Sequence, residues 1–274
     1  MIPDPDFAAR GARYWDDLAE AYQRENTISV NDFHYGPLLP GDKELGLLPQ
    51  PLAGIRCLEL GCGAAQNSVF LAKQGAEAVG IDISPQQLAF AQKLAAGHGV
   101  EVDLRCGDME TLDASLGEFD LIHSAYGVPF AANPAELIRR CAERLRPGGV
   151  LLMSLGHPVY AGEWMEVDDE EQGIFLTSYF HPQPDVREGG EDPESTVCAR
   201  AYPVGECVEW VLAAGLRLTA LREPAALPVQ QMSREERRKR VPYHSAAWME
   251  QERELQRFPI VLILKAEKPG ERIP

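Results

Sequence analysis

The chain has 274 residues, 45% of them hydrophobic, and its 42 Asp and Glu against 26 Lys and Arg give a formal charge of −16 at pH 7. That length suits one large domain with decorations and a sizeable core, while so acidic a surface repels phosphate backbones and anionic lipid, arguing against nucleic acid and membranes as partners. The start, MIPDPDFAARGARYW, lacks a signal peptide's basic residues and apolar run, and no stretch approaches the roughly 20 apolar residues of a bilayer span, so a cytoplasmic protein is expected.

Short runs rich in Val, Ile and Leu alternate with helical patterns, the pattern of a doubly wound α/β sheet. IRCLEL (Ile55–Leu60) reads as a buried parallel strand, followed by a helix over Asn67–Gln74, a strand over Glu77–Asp82, a helix over Pro85–Gly97 and a strand over Glu101–Cys106. A strand at Phe119–Ala125, a helix at Pro134–Leu145 and a strand at Val150–Leu155 come next, the last entered through a turn at Arg146–Gly149. Ser84-Pro85 and Asn133-Pro134 each put a capping side chain before a proline at the first helical position.

After Leu155 the alternation breaks. Residues His157–Tyr202 carry two acidic clusters, Glu166–Glu171 and Glu188–Glu194, with Trp164, Phe175, Tyr179 and Phe180 between them. A stretch of this length without periodicity reads as a functional insertion or lid. The pattern resumes with a helix near Val204–Ala214, capped by Gly215, and a strand at Leu216–Arg222. Pro224–Arg257 forms a second insertion containing SREERRKR, and PIVLILKA (Pro259–Ala266) is a final buried strand. No repeat or linker separates two cores, so residues 1–274 are expected to form one domain.

The six cysteines (Cys57, Cys62, Cys106, Cys141, Cys198 and Cys207) show no C-x-x-C spacing and sit mostly in apolar runs, which suggests neither a zinc site nor a disulfide framework. In Ser233–Arg240 the basic residues are interleaved with Glu235 and Glu236, so a solvated helix face is expected rather than a nucleic-acid site. No acidic cluster beyond the fourth strand is placed to chelate magnesium, and no metal is expected.

Three elements carry chemistry. Glu59-Leu60-Gly61-Cys62-Gly63-Ala64-Ala65 follows the first strand, where glycines let the backbone approach a ligand and leave free N–H groups at a helix start. Asp82 lies at the carboxyl end of the second strand, about 20 residues beyond the glycine turn, where an acid accepts hydrogen bonds from ribose hydroxyls. Gly107-Asp108-Met109 follows the third strand, where a carboxylate and a backbone N–H can read an adenine ring. All three fall at the carboxyl edge of adjacent strands, where open α/β sheets bind ligands, and together they specify an adenosine-containing ligand.

With LELGCG (Leu58–Gly63), VGIDIS (Val79–Ser84), GDM (Gly107–Met109), FDLIHSAY (Phe119–Tyr126) and LRPGGVLLMS (Leu145–Ser154), the sequence resembles the class I S-adenosylmethionine-dependent methyltransferases, in particular the bacterial small-molecule enzymes. The likeness runs in order from Tyr14 to about Arg222, and PIVLILKA suits the family's last strand. It implies a Rossmann-like, mostly parallel seven-stranded sheet with an antiparallel last strand. It further implies a helical lid over residues 1–50, a cofactor core over 51–156, a substrate-lid insertion over 157–202, and the rest of the sheet with a second insertion over 203–274.

The same resemblance implies the roles of single residues. Glu59, Gly61 and Gly63 hold the methionine part, Asp82 the ribose, and Asp108 with Met109 the adenine. Ile83 and Gln87 flank the adenosine, Ser124 lies under the methionine end, and Tyr14 and Tyr22 close over the cofactor from the lid. His34, Tyr35 and Tyr126 are the expected acceptor-binding residues. The function implied is methyl transfer from S-adenosylmethionine to an O or N atom of a small molecule. A nicotinamide dehydrogenase is the first alternative, but its G-x-G-x-x-G needs a third glycine where Gln66 stands; a non-catalytic nucleotide-binding module is the second.

Methyl transfer is largely a matter of in-line positioning, helped by a base of pKa near 7 where the acceptor loses a proton. His157, after the fifth strand at the ligand edge, is the expected base, its competing role being to anchor the chain leaving the sheet. His123, inside the fourth strand, reads as a core group. Tyr14, Trp15, Leu18 and Tyr22 also have the spacing of a packed helix face. His98, His181 and His244 lie where nothing in the sequence fixes their positions.

Overall fold

A computed structural model describes residues 6–168, 171–189, 192 and 194–270. Seven strands form the central sheet: β1 (Arg56–Leu60), β2 (Glu77–Asp82), β3 (Val102–Cys106), β4 (Phe119–Ala125), β5 (Leu145–Gly156), β6 (Arg217–Arg222) and β7 (Val261–Glu267). Their order is β6-β7-β5-β4-β1-β2-β3. β7 runs antiparallel to both neighbours and the β1–β2, β1–β4, β2–β3 and β4–β5 pairs are parallel. The order reverses between β1 and β4, which opens a crevice at their carboxyl ends.

The strands are Val, Leu and Ile runs because both sheet faces are covered. On one face Leu58, Leu60 and Ile122 meet the helices α4 (Pro134–Arg144) and α5 (Val204–Ala213) through Leu137, Ile138, Trp210 and Val211. On the other, Leu121, Leu152 and Val261 meet Phe33, Tyr35, Leu38, Leu39, Leu47 and Leu48, with Ala226, Val229 and Leu255 from the second insertion. Each such side chain contributes about 1.5–3 kcal/mol of burial.

This second layer corrects the expected partition of the chain. Within residues 1–50 the first helix, α1 (Phe7–Glu25), stands over the ligand edge with Ile28 and His34 beside it, whereas most of residues 33–48 is core. Likewise the second insertion is no surface loop, because the sheet face beside β7 has no other cover.

The expected caps form: Ser84 Oγ accepts from Gln87 N–H at the start of α3 (Pro85–Gly97), and Asn133 Oδ1 accepts from Glu136 N–H at the start of α4. The turn Arg146–Gly149 lies inside β5 instead of before it, since Gly148 N–H and Gly149 C=O pair with the backbone of Lys268 beyond β7.

The insertion after β5 has more regular structure than its sequence suggests. Glu163–Asp168 pairs with Glu171–Phe175, and Asp185–Glu188 pairs with Thr196–Ala199, both antiparallel. The acidic clusters Glu166–Glu171 and Glu188–Glu194 lie partly outside the described residues. A further small ribbon joins Asn26–Ile28 to Tyr243–Ser245 and ties α1 to the second insertion. The helix Arg234–Arg240 is solvated, with Lys239 paired to Glu235 and Arg240 to Glu44. No helix among the described residues is long and apolar enough to cross a membrane.

Candidate active site

The crevice at the carboxyl ends of β1 to β4 holds an open cavity of about 1150 Å³, counted out into the solvent at its mouth. Its floor is the loop after β1. Gly61 and Gly63 adopt left-handed φ values of +63° and +53°, which glycine adopts without the cost of a Cβ. Behind this loop Gly127 leaves no room either, since a Cβ there would lie 2.6 Å from Ser124 Oγ and 2.7 Å from Leu60 O.

Asp82 secures the loop from β2. Its Oδ2 accepts from Gly63 N–H at 2.7 Å and its Oδ1 from Ser84 N–H at 2.9 Å. Burial raises its pKa, opposed by these backbone bonds. Each carboxylate oxygen has a second lone-pair direction, so the group can still accept from a ligand hydroxyl.

Glu59 is 3% exposed, and its Oε2 accepts from Ser68 N–H at 2.9 Å and Ser68 Oγ–H at 2.6 Å. Burial pushes its pKa up to about 8 against those bonds, and Asp82 adds to the rise. Among the described residues no lysine or arginine lines the cavity. Two buried acids without a basic partner suit a ligand that brings its own positive charge, and S-adenosylmethionine carries an ammonium and a sulfonium. A dinucleotide, with its pyrophosphate, finds no such complement. Gln66, in place of a third glycine, donates instead to Gln23 of α1.

The residues expected on the adenine side form a linked turn. Asp108 Oδ1 accepts from Glu110 N–H at 2.8 Å, and Met109 packs on the core below. The Glu110 carboxylate in turn accepts from Ala132 N–H and Asn133 N–H at 2.7 and 2.8 Å, fixing the segment after β4. Ile83 and Gln87 also line the cavity.

The roof comes from α1 and the insertion. Phe7, Gly11, Trp15 and Tyr22 form one stripe of α1 facing the cavity, joined by Val197 and Cys198 of the inserted ribbon. Trp15 meets Phe130 edge-on at 5.3 Å. Asp16 Oδ1 accepts from Ser84 Oγ–H at 2.5 Å and Gln86 N–H at 3.1 Å, while Gln23 donates to Gln87 Oε1 at 3.0 Å and accepts from Gln66 at 3.0 Å. The helix is thus hydrogen-bonded to the same segments that form the floor.

The expected residues therefore divide. The cavity brings together Tyr22, His34, Glu59, Gly61, Gly63, Asp82, Ile83, Gln87, Asp108, Met109 and Tyr126. It leaves out Tyr14, Tyr35, Ser124 and His157. Tyr14, on α1, is buried and bonds Arg187. The Tyr35 hydroxyl donates to Asp42 at 2.5 Å inside the core. Ser124 Oγ donates to Leu60 O and accepts from Gly127 N–H, clamping two strand ends.

His157 is the main correction. It is 4% exposed, Nδ1 accepts from Val159 N–H at 3.2 Å, and Nε2 donates to Glu223 at 2.7 Å. With both nitrogens occupied and the ring outside the cavity, it holds the chain where it leaves the sheet. Tyr243, which sequence reasoning overlooked, lies in the second insertion and shares a 2.8 Å hydroxyl hydrogen bond with Tyr22. Phe7, Gly11 and Phe130 were also missed, though the 7/11/15/22 spacing on α1 contained a signal.

Residues 57–149 match the profile of the family described as "Methyltransferase domain". The chain is 36% identical over 106 residues to the ubiquinone biosynthesis O-methyltransferase of Sinorhizobium fredii, 39% of this chain and 43% of that protein; it thus spans less than half the length of this relative. In fold it is similar to an S-adenosylmethionine-dependent methyltransferase of Mesorhizobium loti (TM-score 0.62, 23% identity, 81% of this chain and 94% of that one). It is also similar to the CcbJ methyltransferase of Streptomyces caelestis (TM-score 0.60, 16% identity, 95% and 99%). With the glycine loop, Asp82 and the Asp108 turn on adjacent strand ends, residues 57–149 carry a methyltransferase domain and the chain has the fold of S-adenosylmethionine-dependent methyltransferases.

Proposed function

We propose that this protein is an enzyme transferring a methyl group from S-adenosylmethionine to an O or N atom of a small molecule. The observation that carries the reading is a single cavity whose floor holds two buried acids, Glu59 and Asp82, without a basic partner, and whose roof is an aromatic stripe of α1. When bound, S-adenosylmethionine supplies an activated methyl on sulfur. The chain's contribution is to seat it on the glycine loop, hold the acceptor beneath the roof and exclude water.

An O-methyltransferase relative supports the chemistry over 106 aligned residues. That stretch is too short to include both α1 and the inserted ribbon at Thr196–Ala199, so the relative's acceptor does not carry over. A small molecule suits the cavity, and the surplus of 42 acidic over 26 basic residues disfavours a nucleic-acid acceptor.

Calorimetry with S-adenosylhomocysteine and NADH tests the cofactor, with only the former expected to bind. Incubation with methyl-labelled S-adenosylmethionine and a fractionated pool of bacterial small molecules should label a low-mass product. Binding of NADH alone would remove the proposal.

A further inference from the structure

The ribbon of Asp185–Glu188 and Thr196–Ala199 carries a charge that the cavity walls lack. Arg187 and Val197 are directly paired across it, so their side chains share one face, and Val197 lines the cavity. The ribbon packs on α1: Arg187 donates to the Tyr14 hydroxyl, and a Cβ on Gly189 would lie 3.0 Å from the Tyr14 ring. The Arg187 side chain is 47% exposed, so it meets solvent on one side and the tyrosines beside the roof on the other. Of the cations nearby, Arg13 pairs with Glu194, and Arg200 bonds Cys198 and Tyr202.

Several tyrosine hydroxyls lie in the field of this guanidinium. Burial raises the pKa of Tyr22, Tyr126, Tyr160 and Tyr243, and at each of them Arg187 opposes the rise. Tyr126 donates to Ile260 O at 3.1 Å and Tyr160 to Gln251 Oε1 at 3.0 Å. Tyr22 and Tyr243 share one bond of 2.8 Å, to which each brings a proton, so one O–H of the pair is left to donate. Asp185 Oδ2 takes Nε–H and one Nη2–H of Arg187 at 2.8 and 2.5 Å. With the bond to Tyr14 added, the five-donor fork still holds N–H groups for a further partner. The acids lining the cavity, Glu59, Asp82, Asp108 and Glu110, stand at the strand ends or in the turns after them, not on the ribbon.

We propose that the methyl acceptor is a flat apolar molecule bearing a carboxylate, and that Arg187, with the spare O–H of the Tyr22–Tyr243 pair, binds that carboxylate. The proposal rests on the methyltransferase reading above and names its acceptor class. Donors left without acceptors suit an anion, and a guanidinium matches a planar two-oxygen group best. Trp15, Ile28, Phe130 and Tyr126 supply the apolar wall for the rest of the molecule. The arrangement also orients the acceptor, because the acids at the strand ends repel a carboxylate while Arg187 attracts it. The other end of the molecule, with its nucleophilic O or N, then faces the glycine loop, and the carboxylate itself stays unmethylated. A phosphate would bring a second negative charge into a cavity already lined by acids.

The test uses the full chain saturated with S-adenosylhomocysteine and two probes of nearly equal shape, 2-naphthoate and 2-naphthamide, at pH 7, where the naphthoate alone is charged. Calorimetry should show the naphthoate bound about 10-fold more tightly, the scale of a charged hydrogen bond at a half-exposed site. In Arg187→Gln that preference should fall to near unity, with naphthamide and S-adenosylhomocysteine affinities kept within about 2-fold, and Arg187→Lys should restore part of it. A preference retained in Arg187→Gln overturns the proposal. So does a loss of both probes alike in that variant, which would make Arg187 a prop of the ribbon and no anion site. If the unmodified chain binds S-adenosylhomocysteine but neither probe, or prefers the amide, the acceptor class is wrong and the methyltransferase reading stands. If S-adenosylhomocysteine itself fails to bind the unmodified chain, the methyltransferase reading falls first.

Discussion

Glu223 accepts a 2.7 Å hydrogen bond from Nε2 of His157, 66 residues earlier in the chain, while Nδ1 of the same ring accepts from Val159 N–H. The imidazole thus joins the segment leaving β5 to the one leaving β6. His157→Ala removes both bonds from a buried site and should cost about 1–3 kcal/mol of stability, read as a lower denaturation midpoint in urea. Binding of S-adenosylhomocysteine should be unchanged. A variant of normal stability but weakened ligand binding would return His157 to the site.

Asp82 holds Gly63 N–H and Ser84 N–H at once, so its removal loosens the floor as well as deleting the proposed ribose contact. Asp82→Ala should weaken S-adenosylhomocysteine binding by about 1–3 kcal/mol, roughly 5- to 150-fold, as measured by calorimetry. Glu110→Ala acts one step further away, freeing Ala132 and Asn133, and should cost less.

Glu59 gives a pH dependence of defined sign. The folded chain keeps this proton up to about pH 8, whereas a free glutamate loses it near 4.5. Between those values the folded state binds the extra proton, so the ligand-free protein should lose stability as pH rises through that window. Glu59→Gln should flatten the slope. An ammonium arriving beside Glu59 reverses the preference for the neutral form, so binding of S-adenosylhomocysteine at pH 7 should release close to one proton. Calorimetry in buffers of different ionisation enthalpy measures the release, which should vanish in Glu59→Gln.

The sheet and the cofactor floor were legible in sequence because their causes are local. A Val/Leu/Ile run ending in glycines, an acid at the next strand end and Ser84-Pro85 or Asn133-Pro134 at a helix start each act within a few residues. The aromatic side of the cavity is assembled from afar. Tyr22 meets Tyr243 across 221 positions, and His157 and Tyr35 were misplaced because their partners, Glu223 and Asp42, are set by tertiary packing. The same holds for residues 33–48, whose leucines read as a lid segment until the uncovered sheet face beside β7 is seen to need them.

The roof helix supplies the last prediction. Asp16 and Gln23 sit seven positions apart on α1, so both face the floor, and their partners Ser84, Gln86, Gln66 and Gln87 lie at the starts of the two helices that follow β1 and β2. Gln66 and Gln87 line the cavity above that floor, and a ligand that orders them favours the docked helix, since it stabilises the state that offers it more contacts. Amide hydrogen exchange over Phe7–Glu25 should therefore slow on binding S-adenosylhomocysteine. In an Asp16→Ala, Gln23→Ala double variant the helix should exchange faster in the free protein and gain less protection on binding, with the central strands unaffected. The same variant should lose ligand affinity by the free energy no longer recovered from docking, about 1–2 kcal/mol for the bonds removed. Equal protection with and without the two side chains would mean that α1 is held by its aromatic stripe alone.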